Sequence, residues 1–263
     1  MGNKELQTSA EFLSSDLRLK TLPVSAKFLK TGSGFPEKTR QPSAVLRKKI
    51  TICQAVTLAR VYGWTVGLRR EDLICVPSMI AFGFGKTTEP EAALGRLFCE
   101  MDFARNREAA MQEAESMFHF ENEEYEALLL SPLQKGLYDP ETIAVYGNPA
   151  QVTRMVQSLV YQLGKRIPGN FGGKVECSEY LIAPFKTSEP RITIPGNGDR
   201  IFSMTQDDEM VLSLPGRLLN DLIQGLKESG KSVGARYPVT FYQNFQPEFP
   251  KAHIELGTEL GIL

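Results

Sequence analysis

Cysteines are the side chains of this 263-residue chain that could carry the widest range of chemistry, and the chain has four of them. They stand at positions 53, 75, 99 and 177, without a C-x-x-C pair. Wide, irregular spacing in a chain of this size is typical of reduced thiols rather than of a disulfide framework. Cys99 lies within an apolar stretch, so we expect it to be a core residue.

Cys53 is the cysteine whose local sequence favours reactivity. Apolar periodicity predicts a buried helix over about 51–62, which places Cys53 in the first helical turn. There the helix dipole and the nearby Arg47, Lys48 and Lys49 would stabilise a thiolate or a bound anion. A small thiol buried in a core helix also explains this residue, and both interpretations stay open.

Other catalytic patterns find little support. The two histidines, His119 and His253, are far apart, and a Ser-His-Asp or zinc-histidine site would be difficult to assemble from them. The sequence FGFGKT over 82–87 looks like part of a phosphate-binding loop. Ile80 stands where that loop requires a glycine, so a turn followed by a helix is the better interpretation.

Two stretches predict a strand that leads directly into a helix. In 143–165 an apolar strand is followed by Asn148, a helix cap, and by Pro149 at the first helical position. Apolar residues then recur at helical spacing until Gly164 ends the helix. The stretch 210–231 repeats this order. Such units predict an α+β or α/β fold built on a mixed sheet, with two closely joined lobes as one arrangement.

Further elements are predicted on both sides of these units. They are an N-terminal helix over 1–21, a half-buried strand over 24–29, and a helix that begins at Thr88 with Glu91 as its capping-box partner. Residues 191–203 are expected to form a β-hairpin around a turn rich in glycine and proline.

The charge is unevenly distributed along the chain. Residues 1–70 carry 13 Lys and Arg against 4 Asp and Glu, whereas residues 71–130 carry 4 against 13. The two segments form oppositely charged faces, or the basic one lines an anion site. A nucleic-acid binder would usually show a wider basic surplus, so nucleic acid is not an expected partner. Without a long apolar run or a secretory signal, we expect a cytoplasmic protein with no membrane partner.

Four stretches resemble the domain of unknown function family 169, an archaeal conserved region that also occurs in anaerobic bacteria. They are ICQAVTLARVYGW, EDLICVPSMIAFGF, SPLQKGLYDPETIAVYGNPAQ, and Cys177 followed by ITIPGNGDR. The resemblance covers nearly the whole chain and indicates one family domain over 1–263, with 1–130 and 131–263 as candidate lobes. It implies no activity, because the family has none assigned.

The resemblance also implies a role for three of the cysteines. Family members carry cysteines at the positions matching Cys53, Cys75 and Cys177, and many add a fourth where this chain has Gly196. Such a set is similar to the ligands of an iron–sulfur cluster or another thiophilic metal. With three thiolates, a cluster would keep one open iron; otherwise the thiols are structural.

Three functions remain open. The first is binding of a small anionic or cofactor-like ligand between the lobes, with the ligand-binding residues Lys48, Lys49, Cys53, Asn197 and Arg200. The second is a metal-dependent or iron–sulfur redox enzyme that uses the three cysteines, or Cys53 as a reactive thiol. The third is a homo-oligomeric interaction protein that uses its acidic helix and the aromatic tail from Tyr237.

Overall fold

The computed structural model describes residues 2–238 and 248–263. The tail residues Phe241, Tyr242 and Phe245 lie outside the described residues, so an oligomer contact through them stays a prediction. Within the described part, none of the helices combines the length and the apolar character that a membrane crossing requires.

Helices and strands alternate irregularly along the described chain. The helices are α1 (Asn3–Asp16), α2 (Pro42–Val45), α3 (Ile52–Arg60), α4 (Val76–Ala81), α5 (Pro90–Glu100), α6 (Arg107–Glu115), α7 (Pro149–Leu163), α8 (Ala183–Thr187), α9 (Asn197–Phe202), α10 (Leu219–Glu228) and α11 (Lys251–Glu259). The strands are β1 (Val24–Leu29), β2 (Val66–Leu68), β3 (Ala127–Pro132), β4 (Thr142–Gly147), β5 (Arg191–Thr193) and β6 (Met210–Pro215).

The six strands form one sheet in the order β2-β3-β1-β4-β6-β5. Every neighbouring pair is antiparallel, and parallel pairing among the described residues is confined to isolated bridges. The α+β class is therefore confirmed, but the sheet itself is antiparallel rather than mixed. The long connection from β4 to β6 contains several helices, so it is not the single helical crossover that makes neighbouring strands parallel.

Both faces of the sheet are covered, as β4 shows. Ile143 and Val145 enter the core cluster that includes side chains of α1, α7 and α10, whereas Ala144 and Tyr146 enter the cluster that includes α3. Because successive side chains of a strand point to opposite faces, β4 reads as a continuous apolar run. The face that carries α3 also carries the candidate site.

The two strand–helix units are confirmed. Asn148 accepts a hydrogen bond from the Gln151 N–H at 2.9 Å, and Gly164 ends α7 in the left-handed region. β4 pairs with β6, and α7 packs against α10. The helices approach closely at Gly225, where an added Cβ would lie 2.2 Å from the Ser158 carbonyl oxygen. A short 3-10 turn over Gly216–Leu218 precedes α10 in the second unit.

The predicted hairpin over 191–203 is wrong. Only β5 forms, and the second half of the stretch is the helix α9. The reason is Asp199, whose carboxylate accepts hydrogen bonds from the Gly196 N–H at 3.2 Å and the Tyr180 hydroxyl at 2.8 Å. A buried acid that binds the N–H three residues before it produces a helix start instead of a β-turn.

The predicted capping box at Thr88 is also wrong. α5 begins at Pro90, and the residue before it, Glu89, makes no side-chain cap. Pro90 begins the helix because proline is favoured at the first helical position. The Glu91 carboxylate lies 2.9 Å from the His119 ring nitrogen Nε2, so it does not form the predicted box with Thr88. The N-terminal helix ends at Asp16, five residues before the predicted limit.

Domain organisation stays a prediction. The suggested boundary between lobes 1–130 and 131–263 falls inside β3, which pairs with β1 along six residues.

Candidate functional site

A cavity of about 230 Å³ opens on the α3 side of the sheet. Five stretches that are distant in sequence line it: the start of α3, the start of α4, the end of α5 with the residues after it, residues 174–177, and α9. Cys53, Cys75 and Cys177 all contribute to the lining, so we call it the three-cysteine cavity. The cysteines that the sequence singled out are thus neighbours in space.

The start of α3 positions Cys53. Thr51 caps the helix by accepting a hydrogen bond from the Gln54 N–H at 3.1 Å, while the Gln54 side chain accepts one from the Thr51 N–H at 2.9 Å. This reciprocal cap orients the first turn, and Cys53 Sγ lies 2.9 Å from the Thr51 hydroxyl oxygen. α9 closes this side, since a Cβ added to Gly198 would lie 3.8 Å from Cys53 Sγ.

The other two thiols stand at helix starts as well. Cys75 precedes α4 and is partly exposed, whereas Cys177 is buried immediately before a π-helical turn over Ser178–Ile182. Such turns are rare and occur frequently at functional sites.

Both buried thiols are held in the protonated form. Burial, reinforced by the Asp199 carboxylate, raises the pKa of Cys53 to about 11, and burial raises the pKa of Cys177 well above its ordinary value. Of the two interpretations of Cys53, burial favours the packed thiol over the thiolate. Lys48 and Lys49 are exposed and lie outside the cavity lining, so burial determines the state of the thiol.

Glu176 is a buried carboxyl group of the cavity wall. Its Oε1 accepts hydrogen bonds from the backbone N–H groups of Gly172 and Gly173 at 2.7 and 2.6 Å, while Oε2 has no partner in the described chain. Burial raises the pKa of Glu176 to about 8, and the neighbouring Glu179 and Asp199 add to this effect. Burial therefore favours the protonated form of this carboxyl group unless a cation pairs with it.

Asp199 is the second carboxyl group of the wall. Burial raises its pKa, although the hydroxyl groups of Tyr180 and Tyr146 and the N–H of Gly196 donate to it. Beneath it, the Arg60 guanidinium lies 4.0 Å from the centre of the Tyr146 ring.

Arg60 forms a buried ion pair with Glu209, at 2.7 Å from Nη1 to Oε1 and 3.2 Å from Nη2 to Oε2. The pair joins α3 to the loop before β6. The Thr57 hydroxyl also crosses from α3 to the end of α9, where it donates to the Ser203 carbonyl oxygen at 2.5 Å. This polar layer fixes the position of α3, and therefore of Cys53, against α9.

The predicted ligand-binding residues do not all meet at the cavity. Cys53 and Asn197 line it, whereas Lys48, Lys49 and Arg200 do not. The Arg200 guanidinium is engaged by its own loop, because it donates to the carbonyl oxygens of Pro195 at 3.2 Å and Gln206 at 2.8 Å.

The three charged residues of the lining were not predicted as site residues: Lys174, Glu176 and Asp199. The Lys174 ammonium lies 4.6 Å from the centre of the Phe98 ring and pairs with the Glu113 carboxylate. The only sequence signal for Lys174 and Glu176 is their position within three residues of Cys177. Asp199 lies in the stretch predicted to be a hairpin turn, and a turn pattern does not predict its burial.

The cysteine geometry does not fit a metal or cluster as it stands. Among residues 2–238 and 248–263, no group of three or more His, Cys, Asp or Glu side chains is arranged to hold a metal ion. Position 196 also cannot supply a fourth thiol here, since a Cβ on Gly196 would lie 2.8 Å from Glu176 Cγ and 2.9 Å from the Gly173 carbonyl oxygen.

The fold and site define an α+β protein with a thiol-lined cavity on one face of an antiparallel sheet. The chain belongs to the uncharacterised ArCR family, domain of unknown function 169, whose pattern matches residues 13–225. An uncharacterised protein of Methanocaldococcus jannaschii is 23% identical over 228 residues, which cover 86% of this chain and 96% of that protein. No solved structure matches the chain.

The four thiols are expected to react with iodoacetamide at different rates near neutral pH. The partly exposed Cys75 and Cys99 should be modified first, and Cys53 and Cys177 at least about tenfold more slowly, because burial limits both access and thiolate formation. Peptide mass spectrometry after timed quenching measures each rate, and the unfolded chain is the control. Equal rates for Cys53 and Cys75 in the folded protein would contradict this assignment.

Proposed function

We propose that this protein binds a small ligand with an apolar or aromatic body and at least one polar group in the three-cysteine cavity. The observation that supports this proposal is the convergence of three cysteines and two buried carboxyl groups from four distant stretches on one cavity. Cavities of this kind, with an apolar wall and a few convergent polar groups of shifted pKa, are typical of ligand sites.

The lining suggests how the ligand would be held. Phe98, Met101 and Phe202 provide an apolar and aromatic wall, and Glu176 and Asp199 provide the polar end. The volume of about 230 Å³ is below the roughly 300–1,000 Å³ of sites for drug-sized molecules, so the ligand is small. The protonated thiols contribute soft, polarisable contacts and weak hydrogen-bond donors.

The charge of the lining favours a cofactor-like ligand over a simple anion. Among the described residues of the lining, Lys174 carries the only basic side chain, and Glu113 already pairs with it. Two carboxyl groups face the same space, so an anionic ligand would have to approach Glu176 in its protonated form.

A cysteine-ligated metal or iron–sulfur cluster is the second candidate. The observation in its favour is that Cys53, Cys75 and Cys177 share one cavity. Binding would require the thiols to lose their protons and to move into ligating positions.

We further infer a cytoplasmic location, because four free thiols suit a reducing compartment.

The test of the small-ligand proposal is a variant that fills the cavity. Gly198→Leu adds a side chain where its Cβ makes ordinary contacts with Cys53 and Phe202, and Gly34→Leu, at an exposed glycine with open space around it, is the matched control. Each protein is purified without oxygen and screened by ligand-observed NMR against small aromatic and heterocyclic compounds.

We expect the wild type and Gly34→Leu to bind a shared set of compounds. Gly198→Leu should bind the same compounds about tenfold or more weakly. Binding that survives in Gly198→Leu, or no saturable binding by the wild type, would overturn the small-ligand proposal. Iron, sulfide and zinc are measured on the same samples. Stoichiometric metal that is lost in Cys75→Ser would favour the second candidate.

A further inference from the structure

A second cavity, of about 340 Å³, shares Phe103, Lys174 and Glu176 with the three-cysteine cavity. The rest of its lining comes from the end of α6 and from two stretches, 170–172 and 178–179. We call it the polar cavity, because carboxyl and hydroxyl groups contribute much of its wall. The two cavities lie next to each other, and Glu176 belongs to both walls.

Two glutamates of the polar cavity are buried without complete hydrogen bonding. Glu176 is 1% exposed and Glu179 is 5% exposed. Oε2 of each is buried and has no hydrogen-bond partner in the described chain. The positive charge of Arg191 acts on Glu179, but the Arg191 Nε is also buried without a hydrogen-bond partner in that part of the chain. Buried polar atoms are nearly always paired with protein groups or ordered water, so water or a bound ligand is expected at each of these oxygens.

The other polar groups of this wall also present acceptors. The Ser116 hydroxyl donates its proton to the Glu113 carbonyl oxygen at 2.7 Å, and the Ser178 hydroxyl donates to the Val175 carbonyl oxygen at 3.0 Å. Each serine oxygen keeps its lone pairs for a further partner. The Lys174 ammonium already pairs with the Glu113 carboxylate, which leaves the Asn170 amide as the other side-chain N–H donor of the lining, so acceptors still outnumber available donors.

Aromatic rings stand at the open edge of the polar cavity. Phe103 and Phe171 line it and are 41% and 47% exposed, and the Lys174 ammonium already lies 5.2 Å from the centre of the Phe103 ring. The face of an aromatic ring attracts a cation through its quadrupole, and this attraction is stronger where the pair is removed from water. Acceptor oxygens inside and aromatic faces at the rim together favour an organic cation.

We propose that the polar cavity binds an organic cation with N–H donors, a primary ammonium or a guanidinium group, which donates to Glu176 Oε2 and Glu179 Oε2. This site adjoins the proposed small-ligand site and shares Glu176 with it, but the cation proposal does not rest on the small-ligand proposal. Of the two cavities, Glu179 lines only the polar cavity and Cys75 lines only the three-cysteine cavity. Variants at these two positions therefore separate the two sites.

The experiment titrates the folded full chain with n-butylammonium and follows backbone amide shifts by NMR. 1-Butanol and butyrate are the neutral and anionic analogues of the same shape. We expect saturable binding of n-butylammonium and none of its analogues. Glu179→Gln should weaken binding by about tenfold or more, because a charged acceptor is replaced by a neutral one. Cys75→Ser and Gly198→Leu should leave it unchanged.

Phe171→Leu provides a second test at a half-exposed position, and we expect a loss of about threefold from the missing ring face. Circular dichroism establishes that each variant is folded. The proposal is overturned if n-butylammonium does not saturate the shifts in the millimolar range. It is equally overturned if 1-butanol binds as well, or if neither Glu179→Gln nor Phe171→Leu weakens binding.

Discussion

Arg60→Ala is expected to lower the free energy of unfolding by about 3–5 kcal/mol. The Arg60 side chain is 1% exposed, and its guanidinium makes two hydrogen bonds to the Glu209 carboxylate. It also lies over the Tyr146 ring. Removing the guanidinium leaves the Glu209 carboxylate buried without its counter-charge, and that uncompensated charge, more than the lost attraction, causes the destabilisation.

Urea unfolding at neutral pH measures this effect. Lys20→Ala is the matched control, because Lys20 pairs with Asp208, the residue next to Glu209, while both side chains are more than half exposed. An exposed pair of this kind contributes about 0–1 kcal/mol. Arg60→Met combined with Glu209→Leu removes both charges and should lose less stability than Arg60→Ala. A loss below about 1 kcal/mol in Arg60→Ala would show that the pair is not buried as described.

Glu176→Gln is expected to become more stable relative to the wild type as the pH rises. Burial raises the pKa of Glu176 from 4.5 to about 8, so the folded state keeps this proton where the unfolded state has released it. Below about pH 4.5 the carboxyl group is protonated in both states and contributes no penalty. As the pH rises towards and through about 8, the wild type loses stability, on the order of a few kcal/mol in total.

Glutamine keeps the shape of the protonated acid and cannot ionise, so the variant escapes this loss. Urea unfolding of both proteins at about pH 5 and about pH 8.5 gives the difference in each condition. Glu11→Gln, on the exposed side of α1, controls for the removal of one carboxyl group from the surface. A difference between wild type and Glu176→Gln that is the same at both pH values would contradict a raised pKa at Glu176.

Local signals in the sequence were sufficient for the strand–helix units. Asn148 caps α7 because its side-chain oxygen accepts from an N–H only three residues later. Gly164 ends the helix because it readily adopts a positive φ. Both effects act on immediate neighbours in the chain. The same holds for α3, where the apolar residues of one helical stretch predict a buried helix. Patterns of this kind do not depend on the rest of the fold.

Local signals were insufficient where a distant residue decided the outcome. The stretch from Pro195 to Asp199 has the composition of a β-turn, yet Tyr180 donates to the Asp199 carboxylate from another segment and the stretch begins a helix. The basic residues before α3 suggested a thiolate at Cys53. The folded chain leaves Lys48 and Lys49 in solvent and surrounds the sulfur with buried groups, which raises the thiol pKa instead.

By itself, the sequence determined the family, the α+β class, the reduced state expected of the cysteines and the three positions of chemical interest. Only the tertiary structure decided that these three thiols share a cavity with Glu176 and Asp199, and that Lys174 rather than the predicted basic residues reaches it. The physical reason is that burial and charge pairing depend on contacts between segments far apart in the chain. Such contacts determine the pKa of each group and which acceptors have no hydrogen-bond partner. A local sequence pattern predicts neither.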